Sequence, residues 1–399
     1  MRDVKNACSA VARESEHNSI IKVKIERIFF DKHENDINKK YFRSQPLFWL
    51  SYEQLPIMTL AFQKSRPAAI YLHFPCFDGI VSGALAILFL GKLRGWRFDA
   101  IHAVNYDLQS NWLNTSLPQR SCIVDFLYHP EAEFWCDHHT TTFLSSNLRA
   151  EFAAQPDPMR IYDQESPSTA RLLWNRAAET LKQENRLEEM VNWTDKIDAA
   201  NYDDVNQALF GTHPALIISR SLAVDADSVY CGFLVRSLCD LPLRDLAAHP
   251  EVKRRAARAE ELNREGLSRV KEEIHLEDNI AIFDVLTEDA SVNRYAAFYY
   301  HPDVQYSIGT FRGKDSTTVR VNANPWLRFL SPNLGEMIRA AAKNAGLPSA
   351  GGGHARVGSL RLDNKSHSAA DKVVAYLIEQ LHGDLKDKER SQWPRVVTR

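Results

Sequence analysis

Three aspartates stand where predicted strands end, and two histidines follow the last of them. Asp78 ends the segment HFPCFD, Asp125 ends CIVD, and Asp137 ends FWCD just before His138 and His139. In an open α/β sheet the carboxyl ends of the strands form one edge, so these side chains are expected to converge there. Carboxylates crowded in this way are unfavourable unless a cation neutralises them. The pattern therefore predicts a metal centre.

The mixture of carboxylates and imidazoles indicates which ions would bind. Such ligands suit Mn²⁺, Fe²⁺, Co²⁺ or Zn²⁺ better than Ca²⁺. Because the carboxylates outnumber the needs of one ion, we expect two metal sites bridged by one aspartate, an arrangement that cleaves phosphate esters. Taken singly, a strand-end aspartate is more often a helix cap or a turn residue. The joint occurrence of three such aspartates with a histidine pair favours the metal centre.

A further pair of carboxylates lies in the segment NWTDKIDAANYDD. Asp195 and Asp198 share a helix face if this segment is helical. Either could complete the coordination of a second metal ion, and a solvated helix face is the competing interpretation.

A glycine-rich segment near the end of the chain indicates an anion site. Three consecutive glycines stand there: Gly351, Gly352 and Gly353. Glycines let backbone N–H groups approach an anion, and the following His354 and Arg356 can add charge-assisted hydrogen bonds. Arg320, on a predicted strand of the same unit, is a second candidate phosphate ligand. A mobile turn and an exposed strand arginine are the competing interpretations.

The elements that must position these residues follow from the apolar pattern. From Ala68 onward, short apolar runs alternate with helical ones, which predicts a parallel sheet with crossover helices. A helix is expected after ESPS, with Ser166 as its N-cap and Pro167 at its first position. Gly79 is expected to let the chain turn into a helix that begins near Ile80.

The pattern divides the chain into five ranges. Residues 1–66 form an N-terminal extension, 67–240 an α/β domain with the candidate metal ligands, 241–277 a charged helical linker, 278–383 a smaller α/β domain, and 384–399 a charged tail. The predicted fold class is α/β, with a parallel sheet covered by helices on both faces. We expect the N-terminal extension to contact a partner.

Composition limits the function classes. The 399 residues carry 49 Lys and Arg against 51 Asp and Glu, and the net charge of -2 gives no general attraction to nucleic acid or anionic membranes. The 6 cysteines form no C-x-x-C pair, which favours a reduced, intracellular setting. The most apolar run, Ile80 to Leu93, is shorter than the about 20 residues that span a bilayer. We therefore expect a cytoplasmic protein without a membrane segment.

With these motifs in order, the sequence resembles the DHH phosphoesterase family. The resemblance runs from about Ala68 to Leu381 and depends on the tripeptide Asp137-His138-His139, the upstream FDG and IVD segments, the helical linker and the GGGH segment. It implies a DHH catalytic domain followed by a DHH-associated C-terminal domain. Members include RecJ-type exonucleases, short-oligonucleotide phosphatases and cyclic-dinucleotide phosphodiesterases, and they use divalent metals, commonly Mn²⁺.

The resemblance also implies roles for the catalytic residues. Asp125 resembles the carboxylate that bridges both metals, and Asp78 and His138 resemble ligands of one of them. Asp198 is favoured over Asp195 as the ligand from the fourth motif.

Two further groups of residues would then act on the substrate. By the resemblance, His139 would face the scissile phosphate. His354 and Arg320 would hold a substrate phosphate from the other side of the cleft.

The first motif departs from the family pattern. Many members have a histidine and two aspartates there, but Cys76 occupies the place of the earlier aspartate, and His73 lies at an unusual spacing before Asp78. Cys76 could ligate a metal as a softer thiolate, leave the metal to His73 and Asp125, or mark a position of reduced occupancy.

The expected function is that of a metal-dependent phosphodiesterase or exonuclease. It would hydrolyse short oligonucleotides or small nucleotides with water activated by two metals, most readily Mn²⁺. A RecJ-type single-strand exonuclease is one alternative, and a nucleotide-binding module with weakened catalysis is another. A homodimer is among the assemblies that the sequence allows.

Overall fold

Five parallel strands form the first sheet. They are β1 (Arg66–His73), β2 (Trp96–Val104), β3 (Ser121–Val124), β4 (Phe134–Asp137) and β5 (Arg160–Tyr162). They pair in the order β2-β1-β3-β4-β5, so β1, β3 and β4 are neighbours. The structure is a computed structural model that describes residues 66–181, 184–286, 292–347, 351–363 and 367–392.

Helices cover both faces of this sheet. They are a 3-10 helix (Tyr106–Asn114), α1 (Phe77–Arg94), α2 (Ser146–Ala154), α3 (Thr169–Leu181), α4 (Asn185–Asp198), α6 (Pro214–Ser221) and α7 (Ser228–Asp240), whereas the short α5 (Val205–Phe210) packs with the second half. Because strand side chains alternate between faces, Leu72 packs in one cluster with α1, α3, α4, α6 and α7, whereas Ile123 and Trp135 pack in another with Trp112 and Phe152. The predicted parallel sheet with helices on both faces is confirmed.

A mixed sheet forms the second half of the fold. It follows α8 (Leu243–Ala247) and α9 (Pro250–Glu273), and its elements are β6 (His275–Glu277), β7 (Ile280–Leu286), α10 (Ala296–Tyr300), β8 (Tyr306–Arg312), β9 (Ser316–Ala323), α11 (Leu334–Asn344), β10 (Gly352–His354), β11 (Val357–Asp363) and α12 (His367–Gln392). The strand order is β10-β11-β9-β8-β7-β6. Only β7 and β8 pair in parallel among the pairs in this order. The last helix extends into the range predicted as a charged tail.

The long helix α9 links the two apolar cores. Its Val252 is buried in the cluster of the first sheet, and its Val270 is buried against Phe283 and Phe298 of the second half. The opposite face of the second sheet packs on α11 and α12. This helix therefore contributes to the apolar cores of both halves of the fold. Its other faces are charged, which is typical of a helix that connects two units.

The start of α3 differs from the prediction. The helix begins at Thr169, and the hydroxyl of Ser168 accepts a hydrogen bond from the backbone N–H of Arg171 at 2.9 Å. The prediction that Ser166 caps this helix was wrong. Ser166 lies three residues before the first residue of the helix. Its carbonyl oxygen is 2.9 Å from Nδ1 of His138.

Part of the predicted organisation falls on residues outside the described ranges. Residues 1–65 of the N-terminal extension and residues 393–399 of the tail belong there. Among the helices of the described ranges, none is both long and apolar enough to cross a membrane.

Candidate metal centre

The ends of three neighbouring strands bring the predicted aspartates together. Asp78 lies in the first turn of α1 after β1, Asp125 directly follows β3, and Asp137 is the last residue of β4. Their exposed fractions are 1%, 0% and 1%. Three groups of potential metal ligands lie at this edge, and within each group the donor atoms are within 4.8 Å of one another. The groups are His73 with Cys76 and Asp125, Asp125 with His138 and His139, and Asp78 with His138 and Asp198.

Asp125 lies at the centre of these groups and has a strained backbone. Its φ is +57°, a left-handed conformation that costs free energy in a non-glycine residue and is typical of functional sites. One carboxylate oxygen accepts a hydrogen bond from Thr169 Oγ1 at 3.1 Å. The other, Oδ2, is buried without a hydrogen-bond partner among the described residues and lies 3.5 Å from Nδ1 of His73. Burial and then the neighbouring carboxylates raise the pKa of Asp125 well above its usual value.

Asp78 caps a helix that lies far away in the chain. Its two oxygens accept hydrogen bonds from the backbone N–H groups of Thr169 at 2.7 Å and Ala170 at 2.8 Å, at the start of α3. The hydroxyl of Ser82 donates a third bond at 2.9 Å. Burial and the Asp198 carboxylate nevertheless raise the pKa of Asp78. Asp78 therefore caps a helix, as a strand-end aspartate often does, and it also belongs to a group of potential metal ligands.

Gly79 serves close packing rather than a turn. Helix α1 begins at Phe77, so the predicted start near Ile80 was wrong. A Cβ atom on Gly79 would lie 2.1 Å from the carbonyl oxygen of His73, which is far inside van der Waals contact. The absence of a side chain lets the first turn of α1 lie directly on the end of β1. This contact keeps Asp78 close in space to His73.

His138 is oriented as a metal ligand would be. Its Nδ1 lies 2.9 Å from the carbonyl oxygen of Ser166, an acceptor, which places a proton on Nδ1 and directs Nε2 toward Asp198 Oδ2 at 3.2 Å and Asp78 Oδ2 at 3.8 Å. Burial opposes protonation, but Asp198, Asp78 and Asp125 outweigh it and raise the pKa of His138 to about 11. Nε2 therefore lies close enough to these carboxylates to share a proton or a cation with them. The donor set fits a divalent cation.

Asp137 acts on the neighbouring imidazole instead of joining a donor group. Its Oδ1 accepts a hydrogen bond from Nδ1 of His139 at 2.7 Å and another from the backbone N–H of His138 at 2.8 Å. Burial opposes ionisation of Asp137, but its interactions with His139 and His138 outweigh burial and lower the pKa of Asp137. Asp137 thus orients His139.

The two aspartates of α4 have separate environments. Asp198 shares a donor group with Asp78 and His138. Asp195 accepts hydrogen bonds from Arg171 Nε at 2.7 Å and from Ser168 Oγ at 2.6 Å, and it belongs to none of the donor groups. An arginine therefore neutralises Asp195, whereas Asp198 faces the metal centre.

Cys76 lies in the donor group of His73 and Asp125. Burial, followed by the Asp125, Asp198 and Asp78 carboxylates, raises the pKa of its thiol well above the usual value. Cys122 and Cys136 are buried in the apolar cluster on one face of the first sheet, where they pack as small apolar side chains.

The glycine segment lies opposite the metal centre on the second sheet. Gly353 has a φ of +150°, and a Cβ atom there would lie 2.1 Å from the carbonyl oxygen of Val357. A Cβ on Gly352 would lie 3.8 Å from the side chain of Thr141, three residues after His138. The side chain of His354 lies outside the described part of the structure.

The predicted arginines take different positions. Arg356 donates a hydrogen bond to the carbonyl of Asn324 and lines a cavity beside the metal centre. Arg320 lies over the ring of Phe311, 4.9 Å from its centroid, and burial and then the nearby Arg294 lower the pKa of Arg320. Arg320 is therefore near a second guanidinium but does not line the cavity.

The cavity joins the two halves of the fold. Its volume is about 360 Å³, and residues from both halves of the fold line it. The first half contributes His138, Thr140 and Asp198, and the second half contributes Arg294, Asn322 and Arg356. Sequence reasoning missed Arg294, Tyr295 and Asn322. Asn322 follows Arg320 by two residues on β9, so strand alternation could have placed both on one face.

Comparisons with known proteins support the fold. A pGpG-specific phosphodiesterase, PggH from Vibrio cholerae, superposes with a TM-score of 0.57 at 20% identity over 79% of this chain and 99% of that chain. The DHH domain of a protein described as a member of a ribosomal-protein family superposes with a TM-score of 0.52 at 14% identity over 94% of this chain and 97% of that chain. No protein-family model and no curated protein matches the sequence. The chain has the fold of the DHH-domain proteins.

Proposed function

We propose that this chain is a metal-dependent phosphoesterase that hydrolyses a short oligonucleotide or a small nucleotide. The observation that carries the proposal is the convergence of three donor groups around Asp125 and His138 at one buried edge of the sheet. The same edge opens onto a cavity that Arg294 and Arg356 of the second half line.

Two divalent cations would fit the donor atoms. His73, Cys76 and Asp125 would hold one, and Asp78, His138 and Asp198 would hold the other, with Asp125 between them. Bound cations at such a site activate water and stabilise the leaving oxygen of a phosphate ester. Within the protein, Asp137 orients His139, and His139 would face the scissile phosphate. Thr169 steadies both Asp78 and Asp125 through its N–H and its hydroxyl.

The second half would bind the remainder of the substrate. Arg294 and Arg356 line the cavity, and guanidinium groups are well suited to phosphate oxygens. Asn322 also lines the cavity, and its Oδ1 is buried without a hydrogen-bond partner among the described residues. This oxygen would accept a hydrogen bond from a polar ligand such as a nucleobase or a ribose. In this proposal, residues 67–240 are catalytic and residues 278–383 bind substrate.

The cavity size and one neighbour suggest the first substrate to test. A volume of about 360 Å³ lies at the small end of ligand pockets and suits a mononucleotide unit better than a long strand. PggH is described as specific for pGpG. We therefore infer that a linear dinucleotide with a 5′-phosphate is the best candidate.

Hydrolysis of a labelled substrate panel tests the proposal. The panel contains pGpG, a short RNA, single-stranded DNA, a cyclic dinucleotide, phosphoadenosine phosphate and pyrophosphate, each with Mn²⁺. We expect turnover of the dinucleotide by the wild type and no turnover by Asp125→Ala. Preference for long single strands would favour an exonuclease, and binding of the dinucleotide without turnover of any panel member would show a binding module.

A further inference from the structure

We propose that Cys76 is a thiolate ligand and that the donor group of His73, Cys76 and Asp125 selects Zn²⁺ over Mn²⁺. A separate donor group, Asp78 with His138 and Asp198, would keep the preference for Mn²⁺; it is called the second group below. The centre would then hold two different metals. This inference rests on the proposed metal chemistry, but it concerns which ion each half binds.

The geometry of the first group suits one small ion. Nδ1 of His73 and Oδ2 of Asp125 are 3.5 Å apart, and both atoms are buried without hydrogen-bond partners among the described residues. The Cys76 sulfur completes a group whose donor atoms all lie within 4.8 Å of one another. Ligands bound to a single Zn²⁺ at about 2.0–2.3 Å lie roughly 3–4 Å from each other. Two buried donor atoms without hydrogen-bond partners among the described residues and the Cys76 sulfur therefore lie close enough together to bind one ion after a small adjustment.

The position of Cys76 in the fold favours a thiolate once a cation is present. Cys76 is the N-cap residue of α1, where the helix dipole stabilises negative charge. On binding, the thiol would release its proton to solvent and the sulfur would bind the ion directly.

The two donor groups differ in chemical softness. The first contains sulfur, nitrogen and oxygen, whereas the second contains two carboxylates and one imidazole. Thiolates favour Zn²⁺ and related ions, and carboxylates suit Mn²⁺ and Mg²⁺. A single protein can thereby distinguish two ions at neighbouring positions.

Cobalt spectroscopy tests for the sulfur ligand without any measurement of activity. Metal-free protein is titrated with Co²⁺, which replaces Zn²⁺ and gives a near-ultraviolet charge-transfer band when a thiolate binds it. We expect the band in the wild type and in Cys239→Ser, a matched control that removes a partly exposed cysteine outside the donor groups. We expect no band in Cys76→Ser. A band of equal intensity in Cys76→Ser, or Co²⁺ binding by the wild type without a band, would overturn the inference.

A second variant measures selectivity and guards against a folding defect. Cys76→Asp restores a carboxylate at this position, and we expect it to lower the affinity for Zn²⁺ relative to Mn²⁺ by about tenfold or more, because even outer-shell changes cost that much in metal affinity. Circular dichroism checks that each variant is folded. Unchanged relative affinity in folded Cys76→Asp would contradict the inference. Hydrolysis without the cobalt band would refute the thiolate alone, whereas the band without hydrolysis would refute the proposed function alone.

Discussion

At the scale of single residues, neighbouring aspartates on one helix have opposite roles. Asp198 faces His138 at 3.2 Å, and Asp195, one turn earlier, is neutralised by Arg171 at 2.6 Å. Sequence spacing alone placed both on one face, and only the position of the arginine on α3 separates them. The proposed metal ligand Asp198 and the ion-paired Asp195 can therefore be compared with the same substitution.

We expect Asp198→Asn to lower kcat/KM by about a hundredfold or more, beyond the 10–100-fold typical of outer-shell changes. Asp195→Asn is the matched control, and it should keep activity within a few-fold while losing about 1 kcal/mol of unfolding free energy with its ion pair. Steady-state kinetics and urea denaturation measure the two effects. Equal losses of activity in both variants would contradict the assignment.

Asp137 should affect the rate without affecting metal content. Its oxygen orients His139, so Asp137→Asn is expected to lower kcat by about 10–100-fold while leaving the number of bound metals unchanged. Kinetics combined with elemental analysis separate these effects. Loss of a metal ion in this variant would show that Asp137 is a ligand rather than a positioning residue.

At the scale of elements, contact between a helix and a strand end sets the geometry of the first motif. We expect Gly79→Ala to destabilise the protein by about 3 kcal/mol or more, because its Cβ would overlap the carbonyl oxygen of His73 at 2.1 Å. Gly91→Ala, on the same helix, is the control. Its Cβ would meet only Trp96 O at 3.6 Å, so this change should stabilise the protein by up to about 1 kcal/mol.

Urea denaturation of both glycine variants measures the difference in unfolding free energy. If Gly79→Ala were as stable as Gly91→Ala, the close contact between α1 and β1 would not be a constraint. The comparison uses the same substitution on the same helix, so helix propensity cancels.

Local patterns predicted the elements better than they predicted contacts between them. The parallel sheet, the helices on both faces and the convergence of Asp78, Asp125 and Asp137 follow from apolar periodicity and from the rule that strand ends share an edge. The hydrogen bond that Asp78 accepts from the backbone N–H of Thr169 joins residues 91 positions apart. No local sequence pattern predicts such a contact. Ser166 was assigned as a cap for the same reason, since its partner His138 is distant in sequence.

At the scale of the whole molecule, the cavity depends on both halves of the fold. The metal-facing residues come from the first half, and Arg294, Tyr295 and Asn322 come from the second. The indole N–H of Trp326 also donates to the carbonyl of Tyr202 at 3.1 Å across the two halves. In the proposed function, substrate contacts and catalytic contacts would lie on separate parts of the fold, so substitutions would separate binding from chemistry.

We expect Arg294→Gln to raise KM by about ten- to a hundredfold with a smaller effect on kcat, because a charge-assisted hydrogen bond is worth about 1.5–3 kcal/mol. Arg361→Gln is the control, since Arg361 is exposed on β11 of the same half and does not line the cavity. Kinetics with a 5′-phosphorylated dinucleotide measure both parameters. An unchanged KM in Arg294→Gln would place the substrate elsewhere.

The most direct measurement is the number of divalent metal ions bound per chain, determined by elemental analysis after equilibrium dialysis. We expect two ions in the wild type and in Asp195→Asn, and fewer in Asp125→Ala, because Asp125 lies between the two donor groups. A wild-type protein that binds no divalent ion, or an Asp125→Ala variant that keeps the full number, would contradict the metal centre.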